Sequence, residues 1–122
     1  MATKDDLEAM LPLTPAVFHI LLALADQERH GYGIMQEVER QTDGAVRLGP
    51  GTLYGSIKRM LKANLLIETE ARPEPEHDDE RRRYYQLTNF GQRVARAEAA
   101  RLAHLVRQAQ AKQLLTAERG LA

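Results

Sequence analysis

Apolar side chains cover most of the circumference of the first strongly patterned segment, Leu13 to Ala25. Such a pattern predicts a central helix that is mostly buried. Thr14 can cap this helix, and Pro15 can occupy its first position, where no backbone donor is needed. The pattern leaves a narrow polar or small side, which comprises Ala16, His19 and Ala23.

A second helical pattern runs through GYGIMQEVERQT and ends at Asp43-Gly44. Its apolar positions follow helical spacing and predict a short amphipathic helix, with the inner residues Tyr32, Ile34, Met35 and Val38. The following alternating piece, Ala45 to Leu48, predicts a short strand.

The third helix is predicted in GPGTLYGSIKRMLKANLL, with Pro50 as its opening residue. One side is an apolar stripe of Leu53, Ile57, Met60 and Leu61. The other side combines small polar groups near the start with cations along the length, and contains no acid: Thr52, Ser56, Lys58, Arg59 and Lys62.

Two strand-like runs, LIETEARPE and RRRYYQLT, flank the charged loop PEPEHDDE and predict a hairpin. Tyr85 alternates in phase with Leu87, which places Tyr85 in the core and Tyr84 on the other strand face. The last segment, from Asn89 to about Ala117, predicts a helix of roughly 42 Å at 1.5 Å per residue. Such a helix is too long to pack entirely on a small core.

The composition changes this picture little: 122 residues, 43% hydrophobic and 28% charged, are typical of one globular unit. No apolar run is long enough for a membrane span, and the start lacks the features of a secretory signal, so we expect a cytoplasmic protein.

Without cysteine, disulfides and thiolate sites are excluded. The four histidines show no ligand spacing, so they are expected at the surface, with no metal or cofactor. No nucleophile, base and carboxylate arrangement stands out, and no enzyme is predicted.

The net charge of zero divides into four blocks along the chain. Residues 1–43 carry eight acidic and three basic groups, and residues 44–67 carry four basic groups and no acid. Residues 68–80 then carry seven acids and one arginine, and residues 81–122 carry nine basic groups and two acids. Because polyanions respond to local potential, the two basic blocks leave nucleic-acid binding open.

The predicted order is helix, helix, short strand, helix, hairpin and long helix. It is typical of a mainly α (α+β) winged helix-turn-helix with a long C-terminal helix. We predict an N-terminal extension (1–12), the winged domain (13–88) and a C-terminal dimerisation helix (89–122).

In this architecture the third helix enters the major groove of DNA. The alternative is that its cations form an ordinary solvated face, although no acid is present to pair with them. The arginines at the base of the wing could clamp phosphates or pair with the acids of the loop, and Tyr54 could be a core residue or a phosphate donor. The predicted DNA-binding residues are Thr14, Thr52, Tyr54, Ser56, Lys58, Arg59, Lys62, Arg81, Arg82 and Arg83.

The string LGPGTLYGSIKRMLKANLLIE, preceded by HGYGIMQEVE and followed by RRRYYQLTNFGQR, resembles the PadR family of bacterial transcriptional regulators. The resemblance covers about Leu13 to Arg93, and the single terminal helix is similar to the short-tailed branch. Gly55 stands where these proteins usually have proline, and Asn64 where glycine usually ends the helix. Asparagine tolerates the left-handed conformation that such a helix end requires.

The resemblance implies a homodimeric repressor of a pseudo-palindromic operator, with effectors entering between the subunits. The long apolar seam independently favours a second copy as its partner, with the interface residues Phe90, Val94, Leu102, Leu105 and Ala109. The alternative is that the extended helix folds back on its own domain. Phe18 and Phe90 are candidate walls of an effector pocket, or simply core residues. The competing functions are a winged-helix protein-interaction module without DNA affinity and an effector-binding carrier.

Overall fold

The computed structural model describes residues 3–69 and 83–116. Within them the elements are, in chain order, α1 (Lys4–Ala9), α2 (Pro15–Leu24), β1 (Arg29–His30), α3 (Gly31–Gln41), α4 (Pro50–Lys62), β2 (Leu66–Thr69), β3 (Tyr84–Leu87) and α5 (Asn89–Ala111). The predicted winged helix-turn-helix with a long C-terminal helix is confirmed.

Side-chain caps explain where several helices begin. The Thr14 hydroxyl accepts the Val17 N–H at 3.3 Å, as the sequence predicts. The Thr88 hydroxyl accepts the Gly91 N–H at 2.8 Å at the start of α5. Thr3 and Asp6 form a capping box that starts α1, a helix within the predicted extension. This helix has little apolar periodicity, so the sequence pattern does not reveal it.

Three helices end with a residue in the left-handed backbone region, and none of the three is glycine. The residues are Asp43 after α3, Asn64 after α4 and Gln113 after α5. At the end of α4 the Leu65 N–H donates to the Met60 carbonyl and the Asn64 N–H to the Leu61 carbonyl. This pair of bonds is a Schellman motif, which satisfies carbonyls at the helix end. The role predicted for Asn64 is confirmed.

The sheet has the order β1-β3-β2 and is antiparallel throughout. Arg29 lies opposite Tyr85, and Leu66 lies opposite Leu87. The short strand is therefore at residues 29–30, and the prediction of a strand at residues 45–48 is wrong. Those residues connect α3 to α4, and Val46 and Leu48 pack against the core without a partner strand.

The core lies between α2, α3, α4 and the sheet, with α5 packed across α2. Its buried members are Ile20, Leu21, Ala23, Leu24, Ile34, Val38, Leu53, Ile57, Met60, Leu65, Leu66, Tyr85 and Val94. The predicted position of Tyr85 is confirmed, and burial raises the pKa of its phenol.

Two positions on the first helices differ from the apolar pattern. Ala23 is fully buried whereas Leu22 is 41% exposed, so the predicted lean side of α2 is partly wrong. A small side chain is compatible with close helix packing and does not by itself mark an outer face. Tyr32 is 57% exposed because it lies beside the buried side of α3, which Gly31, Ile34 and Val38 form.

Helix α5 ends at Ala111, earlier than predicted, and at 23 residues it is about 34 Å long. Near its start, Gly91 lies against the Leu65 carbonyl, and a Cβ at this glycine would be 2.1 Å from that oxygen. Only glycine therefore allows this approach of α5 to the end of α4.

Glu98 is a buried acid in α5, with 2% of its surface exposed. Its carboxylate accepts the Leu13 N–H at 3.1 Å and two bonds from Arg101, at 2.6 and 3.0 Å. The Arg101 bonds hold the pKa of Glu98 below its usual value, helped by the Leu13 N–H and opposed by burial. Glu98 therefore ties α5 to the segment that leads into α2.

The left-handed turn after α4 predicts that Asn64→Gly raises the free energy of unfolding by about 0.5–1 kcal/mol, because glycine adopts this backbone without a Cβ penalty. The control is Lys58→Gly, at an exposed position in the interior of α4, which is expected to lower it by about 1 kcal/mol. Urea denaturation of both variants measures the difference, and a destabilised Asn64→Gly would contradict the argument.

The Glu98 contacts predict a stability that depends on acid pH. An acid whose pKa is lowered by folding stabilises the protein above its unfolded pKa and loses that contribution as the pH falls through its folded pKa. We expect Glu98→Gln to cost about 1–3 kcal/mol at pH 7 and to flatten the loss of stability below pH 4.5, the ordinary value of the group. Thermal unfolding from pH 7 to pH 3 tests this, and parallel curves for the variant and the parent would refute it.

Candidate nucleic-acid interface

Helix α4 presents an outer face built from glycines and lysines. Gly51, Gly55, Lys58 and Lys62 follow one another at steps of three and four residues and so share the centre of that face. Thr52 and Arg59 lie along one edge of it, and all of these residues except Gly55 are exposed. The first turn has no side-chain cap, and nothing lies within 4 Å of a Cβ built at Gly51. This end of α4 is therefore open to a close partner.

The three cations of α4 have no acidic partner. Lys58, Arg59 and Lys62 form no ion pair in the part of the chain that the structure describes. Other exposed cations do: Arg40 pairs with Glu37, and Arg47 pairs with Glu39 at 3.1 Å. The positive charge of α4 is therefore not neutralised by neighbouring described residues.

Ser56 does not face outward, and its prediction as a direct DNA contact is wrong. It is 1% exposed because it lies on the inner side of α4 with Leu53 and Met60. Its hydroxyl instead accepts a bond from Arg59 Nη2 at 3.3 Å. The other terminal nitrogen of Arg59, Nη1, lies 3.7 Å from the position of a Cβ at Gly55. The guanidinium thus folds back along α4, over Gly55 and onto Ser56.

Tyr54 packs on the domain and is also partly exposed, so both roles that the sequence left open, core residue and phosphate donor, stay predictions. Its ring packs on the backbone of Gly31, where an added Cβ would be 2.2 Å from the phenolic oxygen. Even so, 45% of Tyr54 remains exposed. The residue thus joins the start of α3 to the first turns of α4 and keeps part of its surface available.

The base of the wing contains one described arginine. Arg83 Nη1 pairs with the Glu68 carboxylate at 3.1 Å across β2 and β3, and its side chain remains 61% exposed. Its partner is thus a strand residue. Arg81, Arg82 and the acids of the loop lie outside the described residues.

The predicted dimer residues separate into two groups. Val94 is fully buried in the core of its own chain, so its prediction as an interface residue is wrong. Phe90 is partly buried and packs against the same core. Leu105 is 50% exposed, and Leu102 and Ala109 are partly exposed. The available apolar surface of α5 therefore begins after Glu98.

A cavity of about 220 Å³ lies between the α1–α2 connection and α4. Its walls are mostly apolar, and its lining residues are Met10, Pro12, Leu13, Thr14, Val17, Arg59, Met60, Ala63 and Leu65. The candidate walls Phe18 and Phe90 are both partly buried and do not line this cavity. Thr14, predicted on DNA, lies at this cavity with its hydroxyl accepting the capping bond of α2.

The sequence interpretation missed His30, which was expected at the surface. Its Nδ1 accepts the Gly33 N–H at 3.0 Å and caps α3, while its ring lies edge-on to Tyr84 with centroids 5.5 Å apart. A polar residue directly before a glycine-started helix is a signal that could have indicated this cap. Residues 3–69 and 83–116 contain no group of three or more potential metal ligands.

A helix pair with an open, cationic second helix, followed by a two-stranded wing, defines the winged helix-turn-helix class. The family model described as "Transcriptional regulator PadR-like family" matches residues 20–97. The chain belongs to this family. The resemblance noted in the sequence is thereby confirmed, as is the prediction that the chain is a regulator rather than an enzyme.

Two curated relatives show different extents of similarity. The transcriptional regulator Rv3488 of Mycobacterium tuberculosis is 35% identical over 102 residues, which cover 84% of this chain and 89% of the relative. An uncharacterised 37.1 kDa protein in transposon TN4556 of Streptomyces fradiae is 40% identical over 86 residues, or 70% of this chain. The match spans only 22% of that transposon protein.

The structure of Bacillus subtilis PadR in complex with operator DNA has a similar fold. It aligns with a TM-score of 0.59 and 16% identity over 70% of this chain and 47% of that one. In the described part of this chain, no helix is both long and apolar enough to cross a membrane.

Proposed function

We propose that this chain is a homodimeric DNA-binding transcriptional regulator, and that the α4 helices of its two subunits read the half-sites of a pseudo-palindromic operator. The observation that carries the proposal is the outer face of α4, where three cations have no acidic partner among the described residues. Such a face suits the phosphates and base edges of a major groove.

The contacts within α4 suggest that its lysines and its arginine bind different parts of the DNA. Lys58 and Lys62 are flexible, exposed charges at the centre of the face and suit phosphates. Arg59 has a planar donor fork, which suits a guanine edge. Ser56 holds that fork against α4, and since Ser56 is buried it acts as a positioning residue.

The exposed apolar surface of α5 supports the dimer. Leu102, Leu105 and Ala109 recur at steps of three and four residues beyond the part of α5 that packs on its own domain. A second copy of α5 would cover this seam. The seam is thus shorter than the sequence predicts, because Val94 belongs to the core.

We further propose that the regulator is a repressor released by a small molecule. The cavity beside α4 supports this mode because Arg59 forms part of its wall. A ligand in the cavity and a bound duplex would then require different positions of the Arg59 side chain, so each would weaken binding of the other. Linkage requires that operator DNA lower the affinity for such a ligand by the same factor.

The test of DNA binding is selection of bound duplexes from a random pool, followed by affinity measurements with variants of α4. We expect Arg59→Ala to lose about 1–3 kcal/mol of discrimination at one base pair per half-site, whereas Lys58→Ala weakens all duplexes alike. Ser56→Ala should lose part of the same discrimination with little effect on random DNA. Arg40→Ala, an exposed arginine of α3, is the control. A chain that enriches no sequence and binds no duplex would be a protein-interaction module instead.

The test of assembly is the double variant Leu102→Glu/Leu105→Glu, which places charges in the seam. We expect monomers by light scattering, because a carboxylate cannot be buried there without a partner. The matched control, Ala100→Glu/Ala103→Glu, places the same charges on the exposed opposite side of α5 and should leave the dimer intact. A seam variant that stays dimeric and folded would exclude this interface.

A further inference from the structure

The described arginines are divided sharply by whether they have an acidic partner. Arg29, Arg40, Arg47, Arg83 and Arg101 each have a carboxylate oxygen within 4.0 Å. The others have none among residues 3–69 and 83–116, and they are Arg59 in α4 and Arg93, Arg96 and Arg107 in α5. Among the residues that the structure describes, unpaired arginine is therefore confined to the proposed DNA-binding helix and to α5.

The three arginines of α5 lie on one face with His104. Relative to Arg93, the other members follow at 3, 11 and 14 residues, spacings that return to the same side of a helix. We name Arg93, Arg96, His104 and Arg107 the α5 stripe; all four are exposed. At 1.5 Å per residue the stripe is about 21 Å long. Between its ends this face carries Ala100 and Ala103, and no acid.

The α5 stripe is a surface separate from the outer face of α4. It lies opposite the side of α5 that bears the buried residues Val94 and Glu98. That buried side packs on α2, which also contacts α4. Arg93, His104 and Arg107 therefore point away from the domain, whereas Arg96, although exposed, also borders Ala25 and Leu87 at one edge of it. The stripe also lies opposite the Leu105 seam, so the proposed dimer would leave it exposed.

We propose that the α5 stripe is a second, sequence-independent contact for the phosphate backbone of duplex DNA. This inference rests on the proposed function and adds a second DNA segment to each subunit. Because a duplex carries about one charge per 1.7 Å of its axis, a stripe of this length faces several phosphates.

The composition of the stripe favours DNA over an acidic protein. Protein interfaces are organised around buried aromatic or aliphatic anchors, and this face offers only two alanines. Protein–DNA interfaces are much more positively charged and more polar. Exposed guanidinium groups along a helix can contact the phosphates of DNA, which carry charge but no sequence information.

The test compares the triple variant Arg93→Gln/Arg96→Gln/Arg107→Gln with the parent on random-sequence duplexes over a range of salt. Each phosphate contact contributes about 0.9 to the slope of log affinity against log salt, so we expect the slope to fall by about 2–3. Operator discrimination should stay unchanged. The control is Arg40→Gln/Arg47→Gln, which removes exposed arginines that are ion-paired, and whose slope should match the parent.

A second arm separates this inference from the proposed function. Lys58→Ala/Lys62→Ala should weaken operator and random duplex alike yet leave salt-sensitive binding to random duplex, and adding the triple substitution should lower the remaining salt slope by about 2–3 more. If the parent selects an operator but the triple variant keeps the full salt slope, the α5 stripe is not a DNA contact and the function stands. If the triple variant instead loses only binding to polyglutamate, the surface serves an acidic protein. A parent that binds no duplex overturns both proposals.

Discussion

The architecture depends on one close contact, where Gly91 meets the carbonyl of Leu65. The Thr88 N–H donates to that same carbonyl at 3.0 Å, and its hydroxyl donates to the Asn64 carbonyl at 2.7 Å while capping α5. The left-handed turn at Asn64 turns these carbonyls toward α5. The end of α4, the end of β3 and the start of α5 thus meet at one place in the structure. Substitution of Gly91 would separate the proposed DNA-binding helix from the helix proposed to form the dimer.

Local sequence rules predicted the parts of the fold that depend on neighbouring residues. Thr14 as a cap, Pro50 as a helix opener and Asn64 as a left-handed helix end all follow from backbone chemistry within a few positions. The bounds of α4 and the position of Tyr85 followed from simple periodicity. The same rules identified the cations on the outer face of α4, since apolar residues fixed the opposite side.

The errors came from contacts between residues far apart in the chain. The pairing of Arg29 with Tyr85 makes a strand of a two-residue segment that has no periodicity of its own. Ser56 was assigned outward on its polarity alone, whereas the packing of α4 on the rest of the domain buries it. Val94 continued the apolar seam of α5, and only the packing of the domain shows where core ends and free surface begins. Glu98 was one acid in a basic segment, although its place on the apolar side of α5 was a usable signal.

The strand β1 has a mechanical consequence because His30 belongs to two elements at once. It pairs with Tyr84 in the sheet, and its imidazole closes the first turn of α3. The ring of Tyr54, from α4, packs against the next residue, Gly31. A shift of the wing relative to α3 and α4 must therefore break the strand pairing, the cap formed by His30, or the contact between Tyr54 and Gly31. These three contacts join the wing strands to both helices, so we expect α3, α4 and the sheet to contact a target surface with little internal rearrangement.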